Sequence, residues 1–129
     1  MANYAIQKAV KLGYDEVLAR IPALLKEEGF GILTEIDVKE TLKKKLGVDF
    51  RRYKILGACN PPFAHQALSA DIDIGVMLPC NVVVYEGEDG QTHVDAINPA
   101  FTIERTGNPQ LLELAKQIAQ KLSRVLERL

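Results

Sequence analysis

The two cysteines of the chain, Cys59 and Cys80, sit in the stretches GACNPPFAH (57–65) and LPCNVVVYE (78–86). Each is followed directly by an asparagine, Asn60 or Asn81, and each has a proline close by. Four roles are open to such a pair: a redox couple, part of a metal site, a catalytic thiol with its partner, or two small side chains packed as hydrophobes. Free cysteine is among the most buried residue types, so packing is the default against which the other three are weighed.

Asn60 is suited to cap a helix, and Pro61 and Pro62 fill first positions whose amides have no intrahelical partner. A short helix over 61–70 follows, with Cys59 just ahead of its N-terminus, where the partial positive charge of a helix favours a thiolate. The same prolines remove two amides that could have faced an anion, which weakens a phosphate-site reading. Cys80 opens the next strand. If the strands flanking the short helix pair antiparallel, Cys59 and Cys80 share one rim of the sheet, and His65 can face it from one helical turn in.

Cys59, His65 and Cys80 then form a soft three-ligand set for zinc or a similar divalent ion. The spacing matches no standard zinc pattern, since CxxC is absent. His93 is a further imidazole, but it lies beyond a hairpin turn and at the opposite end. A thiol enzyme needs a base beside its nucleophile. His65 is the only candidate, with Cys59 as nucleophile and Cys80 as resolving thiol. The ligand-binding set on this rim is Cys59, Asn60, His65, Cys80 and Asn81. No Ser-His-Asp spacing, P-loop or GxGxxG stretch occurs, and GEDGQ falls short of an EF-hand loop. Asp71, Asp73, Glu86 and Glu88 read as a solvated edge.

The elements that must hold this rim follow from changes of hydrophobic period. Residues 4–10 alternate as a strand, and Tyr14, Val17, Leu18, Ile21, Leu24 and Leu25 then take helical spacing, with Gly29 as C-terminal cap and Pro22 as a local bend. FGILTEIDV returns to period two, with Phe30, Ile32, Ile36 and Val38 on one face. KETLKKKLG is a short polar helix ending at Gly47. YKILGAC, NVVVYE and THVDAI are strands, the last two joined by an Asp89-Gly90 hairpin turn. A long final helix starts at Asn108-Pro109, with Leu111, Ala115, Ile118, Leu122, Val125 and Leu129 as its seam. Direct hairpins exclude an all-parallel sheet. The economical arrangement is an α+β fold of order β-α-β(4)-α, with two long helices on one face of an antiparallel sheet. Apolar groups on both sides of NVVVYE, and Leu33 opposite Ile32, leave a second face for another subunit to cover.

Composition bounds the function classes. The 129 residues fit one domain, with 16 basic against 17 acidic side chains and a formal charge of −1. Such a balance, with Lys43-Lys44-Lys45 surrounded by acidic residues, lacks the basic stripe of a nucleic-acid binder. No apolar run approaches the roughly 20 residues that span a bilayer, and MANYAIQKAV lacks the regions of a signal peptide. A cytoplasmic location with reduced thiols is the expectation.

At YKILGACNPPFAHQAL and IGVMLPCNVVVYE, together with GFGILTEIDV, LKKKLGVDFRRY and the hairpin before Asn98-Pro99, the chain resembles the bacterial and archaeal family called domain of unknown function 302. The likeness runs over nearly the whole length, and Gly57…Asn60-Pro61 and Leu78-Pro79 are its most specific marks. It implies a single domain over 1–129 with a TATA-binding-protein-like architecture, often a homodimer, and it implies no established activity. This sequence resembles the thiol-bearing branch; other branches keep the Asn-Pro and Leu-Pro steps without the cysteines. The functional expectation is a small binding module for a metal ion or small ligand at the rim formed by 57–65 and 78–81. The alternative is a thiol-dependent redox or transfer enzyme using Cys59.

Overall fold

A computed structural model describes residues 3–129. Strand periods in the sequence become β1 (Ala5–Val10), β2 (Gly31–Asp37), β3 (Tyr53–Cys59), β4 (Cys80–Glu86) and β5 (Thr92–Ile97). They form one sheet of order β1-β5-β4-β3-β2 in which every neighbouring pair is antiparallel. The helices are α1 (Tyr14–Glu27), α2 (Val38–Leu46), α3 (Pro61–Ala70), α4 (Pro99–Ile103) and α5 (Pro109–Glu127).

Period two in the strands and period 3.6 in the helices meet in one core. Leu56, Ala58, Val82, Val84, Val94 and Ala96 rise from one face of the sheet against Val17, Ile21 and Leu25 of α1 and Ile118, Leu122 and Val125 of α5. Each fully buried Val, Leu or Ile side chain contributes roughly 1.5–3 kcal/mol, so this seam holds the two long helices on that face. The expected seam of α5 is buried from Leu111 to Val125, while Leu129 lies past the helix end and is half-buried, and Asn108 caps the helix by accepting from the amides of Gln110 (3.0 Å) and Leu111 (3.4 Å).

α1 runs unbroken through Pro22 and ends on Gly29 at φ 87°. There the Gly29 amide donates to the Lys26 carbonyl at 3.0 Å and the Phe30 amide to the Leu25 carbonyl at 2.9 Å. This pair of reversed bonds is a Schellman stop, closed by the contact of two buried apolar residues, Leu25 and Phe30. The left-handed turn aims the chain back into β2.

Two sequence expectations need correction. Ile32 and Ile36 do not share a face, because the register passes from Ile32↔Ala58 to Thr34↔Gly57 and leaves Leu33 as the extra residue of a β-bulge. A bulge shifts every later side chain to the other face. Ile32 packs on the core, while Ile36 stands exposed opposite Ile55. The stretch between β5 and Asn108, to which the sequence reading assigns no element, contains α4 and a 3-10 turn at Glu104–Thr106. Asn98-Pro99 repeats the Asn-Pro start of α3 and α5, and that was its signal.

Among the described residues, no helix buries a seam on the opposite face of the sheet. Tyr53, Tyr85 and His93 stack across it, with ring centroids 5.3 and 5.0 Å apart. Among the described residues, no helix is long and apolar enough to cross a membrane.

Candidate functional site

β3 ends at Cys59, the chain turns through Asn60 into α3, and after a 3-10 turn at Ile72–Met77 it re-enters the sheet at Cys80. Ala58 lies directly opposite Cys80 in the β3–β4 register. Both thiols therefore reach one rim, as the sequence predicts, and both line a cleft of about 370 Å³. Its walls are Phe63, Ala64, Ala67 and Leu68 of α3, Pro99 and Ile103 of α4, and Leu111, Leu114, Ala115 and Ile118 of α5. Alanine at 64, 67 and 115 leaves room that larger side chains would fill. Among the described residues, no lysine, arginine, histidine or carboxylate lines the cleft.

A second, smaller hydrophobic cluster of Ala67, Ile74, Ile103, Leu111 and Ala115, separate from the main core, supplies four of these wall residues, all but Ile74. Sequence reading took Leu111 and Ala115 as core seam and did not anticipate a cavity beside them. The contribution of α4 was missed altogether. Helical periodicity reports which face is apolar, and not whether the apolar residues opposite are large enough to close the gap.

Asn60 holds the N-cap position of α3 without capping it by its side chain. The expected cap bond is replaced by a longer-range one: its Nδ2 donates to the Glu28 carbonyl at 3.2 Å. This ties the end of α1 to the β3–α3 junction. The Glu28 carboxylate is itself almost buried and accepts from Arg124 (Nη2, 2.8 Å) and Arg128 (Nη1, 3.0 Å) of the last turns of the chain. Those guanidinium hydrogen bonds hold its carboxyl below the usual carboxylate range. Gly57 sits where β2 and the Leu78-Pro79 step converge: a Cβ there would collide with the Thr34 hydroxyl and come within 2.9 Å of Pro79 Cγ. The family marks at 57, 60 and 79 are therefore parts of one junction.

The two thiols differ. Burial pushes Cys80 up to about 11, with the nearby Cys59 adding to the shift. Both cysteines are free and partly accessible. His65 stands exposed on α3 and is not among the residues that line the cleft; its backbone carbonyl accepts from the Ser69 hydroxyl. Asn81 is exposed, opposite Gly57, and also lies outside the cleft. His93 bonds the Asp89 carboxylate at the far hairpin. Among the described residues, no three His, Cys, Asp or Glu side chains gather in a group that could hold a metal ion.

The family model described as "Domain of unknown function DUF302" matches residues 6–129. The chain is also similar to an uncharacterized conserved DUF302 protein from Bacillus stearothermophilus known by crystal structure. The two are 34% identical with a TM-score of 0.91, over 98% of each chain. No functionally curated protein matches the sequence.

Proposed function

The chain belongs to the domain of unknown function DUF302 family, which supplies a fold and no reaction, and from the cleft we propose that it is a binding protein for a small, largely apolar, uncharged ligand. The observation that carries this reading is the cleft itself: about 370 Å³, walled by apolar side chains from three helices, with no charged side chain among the described residues that line it. Such a volume falls at the lower end of the range for small-molecule sites, and burial of apolar ligand surface supplies the driving force. An ionic ligand group would lose its hydration there without a counter-charge.

A soft ion held by Cys59 and Cys80 is the second reading, favoured by two thiols lining one cleft. Zinc binding through them needs ligands beyond this pair. Thiol transfer through Cys59 has no base in the cleft, since His65 lies outside it. A cytoplasmic homodimer, with the open face of the sheet as its interface, completes the proposal.

Titration with the neutral fluorophore N-phenyl-1-naphthylamine tests the main reading. One saturable site per chain is expected, and Ala64→Trp, which fills the cleft from a partly exposed position, should weaken it at least tenfold. Absence of saturable binding, or equal binding by the variant, overturns it. Protection of Cys59 from alkylation by zinc alone would favour the second reading.

A further inference from the structure

We propose that the carboxamide oxygen of Asn60 is the polar anchor of this cleft, so that its ligand is an uncharged, mainly apolar molecule presenting one O–H or N–H donor. The inference rests on the cleft reading above and adds the chemical class of the ligand.

Asn60 is only 8% exposed and lines the cleft. Its Nδ2 donates to the Glu28 carbonyl, which can only accept, so the orientation of the amide is fixed and Oδ1 is left over. At a helix start the ordinary partner of that oxygen is the amide of the second or third helical residue. Asn108 has those partners in Gln110 and Leu111. At Asn60 the second residue is Pro62, which has no N–H, and the side chain makes no cap bond to Phe63 either. The second proline is the difference between the two Asn-Pro starts, and it leaves one acceptor without a protein donor among the described residues. No fully enclosed side-chain nitrogen or oxygen there lacks a partner, so this oxygen keeps open surface.

Water can serve that acceptor while the cleft is empty. A ligand that displaces the water without offering a donor leaves a buried acceptor unpaired, and sites of this kind discriminate against analogues lacking the donor. Thr34, the other oxygen-bearing side chain in the lining, is exposed and has solvent as its ordinary partner. Phenols, alcohols and amides of apolar bodies fit these constraints. Hydrocarbons, ethers and carboxylates do not.

The test is a matched pair of probes, 2-naphthol and 2-methoxynaphthalene, titrated into the wild-type protein at neutral pH, with the Asn60 side-chain amide followed by NMR. The naphthol is expected to bind about tenfold tighter although it is the less apolar of the two. The Asn60 amide signal is expected to move with the naphthol and not with the ether. Equal saturable binding of both overturns this inference and leaves the cleft reading standing. Binding of neither probe overturns both. A preference for the naphthol without a response at Asn60 places the acceptor elsewhere and also overturns it. Asn60→Leu, if folded by thermal melt, should lose the preference for the naphthol over the ether; a preference kept in that variant counts against the proposal.

Discussion

Cys80 shows how surroundings, rather than residue type, set the chemistry of a thiol. The thiolate is the reactive form. Burial raises Cys80 to about 11, so at pH 7 only about one molecule in ten thousand carries it. Alkylation of Cys80 should climb about tenfold per pH unit from 7 towards 11, and Cys59, at the mouth of α3, should label faster at neutral pH. The same shift has a consequence for stability. The folded state holds this proton more tightly than the unfolded chain, so its contribution is fully present below the unfolded thiol value. It is lost as the pH climbs towards 11, by about 2–3 kcal/mol in all. Tyr14, raised to about 12 mainly by burial, acts in the same direction, so the comparison must be with Cys80→Ala. Urea unfolding between pH 7 and pH 10.5 should show a shallower alkaline loss in that variant; parallel curves would mean that the thiol is not desolvated. The sequence already separated the two cysteines, one before a helix and one opening an apolar strand, because local context is written in adjacent residues. It did not show that His65 points away from them, because the direction of a side chain on α3 depends on how α3 docks.

The junction of β2, β3 and the entry to β4 depends on glycine at 57 for space. A Cβ would meet the Thr34 side chain, which can move, and the Pro79 ring, which cannot move without the strand. Gly57→Ala should therefore cost about 1–3 kcal/mol in urea unfolding, the range of overpacking in a tight interior. Adding Thr34→Ala should recover part of that loss and not all of it, because the Pro79 contact remains; full additivity of the two changes would show that they do not touch. Thr34 is brought to this point by the bulge at Leu33. Periodicity could not reveal the bulge, because one inserted residue leaves the strand apolar on both faces and merely exchanges them. Capped helices and the Asp89-Gly90 hairpin were legible for the opposite reason: a turn or cap is specified by the residues that make it. Gly29, Gly90 and Asn108 all do in the structure what their types predict. α4 carried the same Asn-Pro mark but only five residues, too few for its period to register.

The molecule as a whole is two-layered, with α1 and α5 on one side of the sheet and, among the described residues, no helix with a buried seam on the other. On that open side Ile55 lies between Ile36 and Val83, and the Tyr53–Tyr85–His93 stack continues the surface along the strands. Ile36 is 48% exposed. Contiguous apolar surface of this kind marks an interaction site more often than a solvated one, and the apolar positions of NVVVYE and Leu33 made the same argument from sequence. The expected outcome is a homodimer at micromolar concentration by sedimentation equilibrium, formed face to face through this side of the sheet. Ile55→Glu would put an unpaired carboxylate among Ile36 and Val83, near the like charge of Asp95 on the next strand but one. Burying that charge on association should weaken the dimer about a hundredfold, corresponding to about 3 kcal/mol. Because Ile55 is only half-buried within one chain, the variant should still fold, with its far-ultraviolet spectrum unchanged. It should also still bind the naphthyl probes, since Ile55 is not among the residues that line the cleft. A wild-type protein that stays monomeric at tens of micromolar, or an Ile55→Glu variant as dimeric as the parent, would remove the open face as the interface.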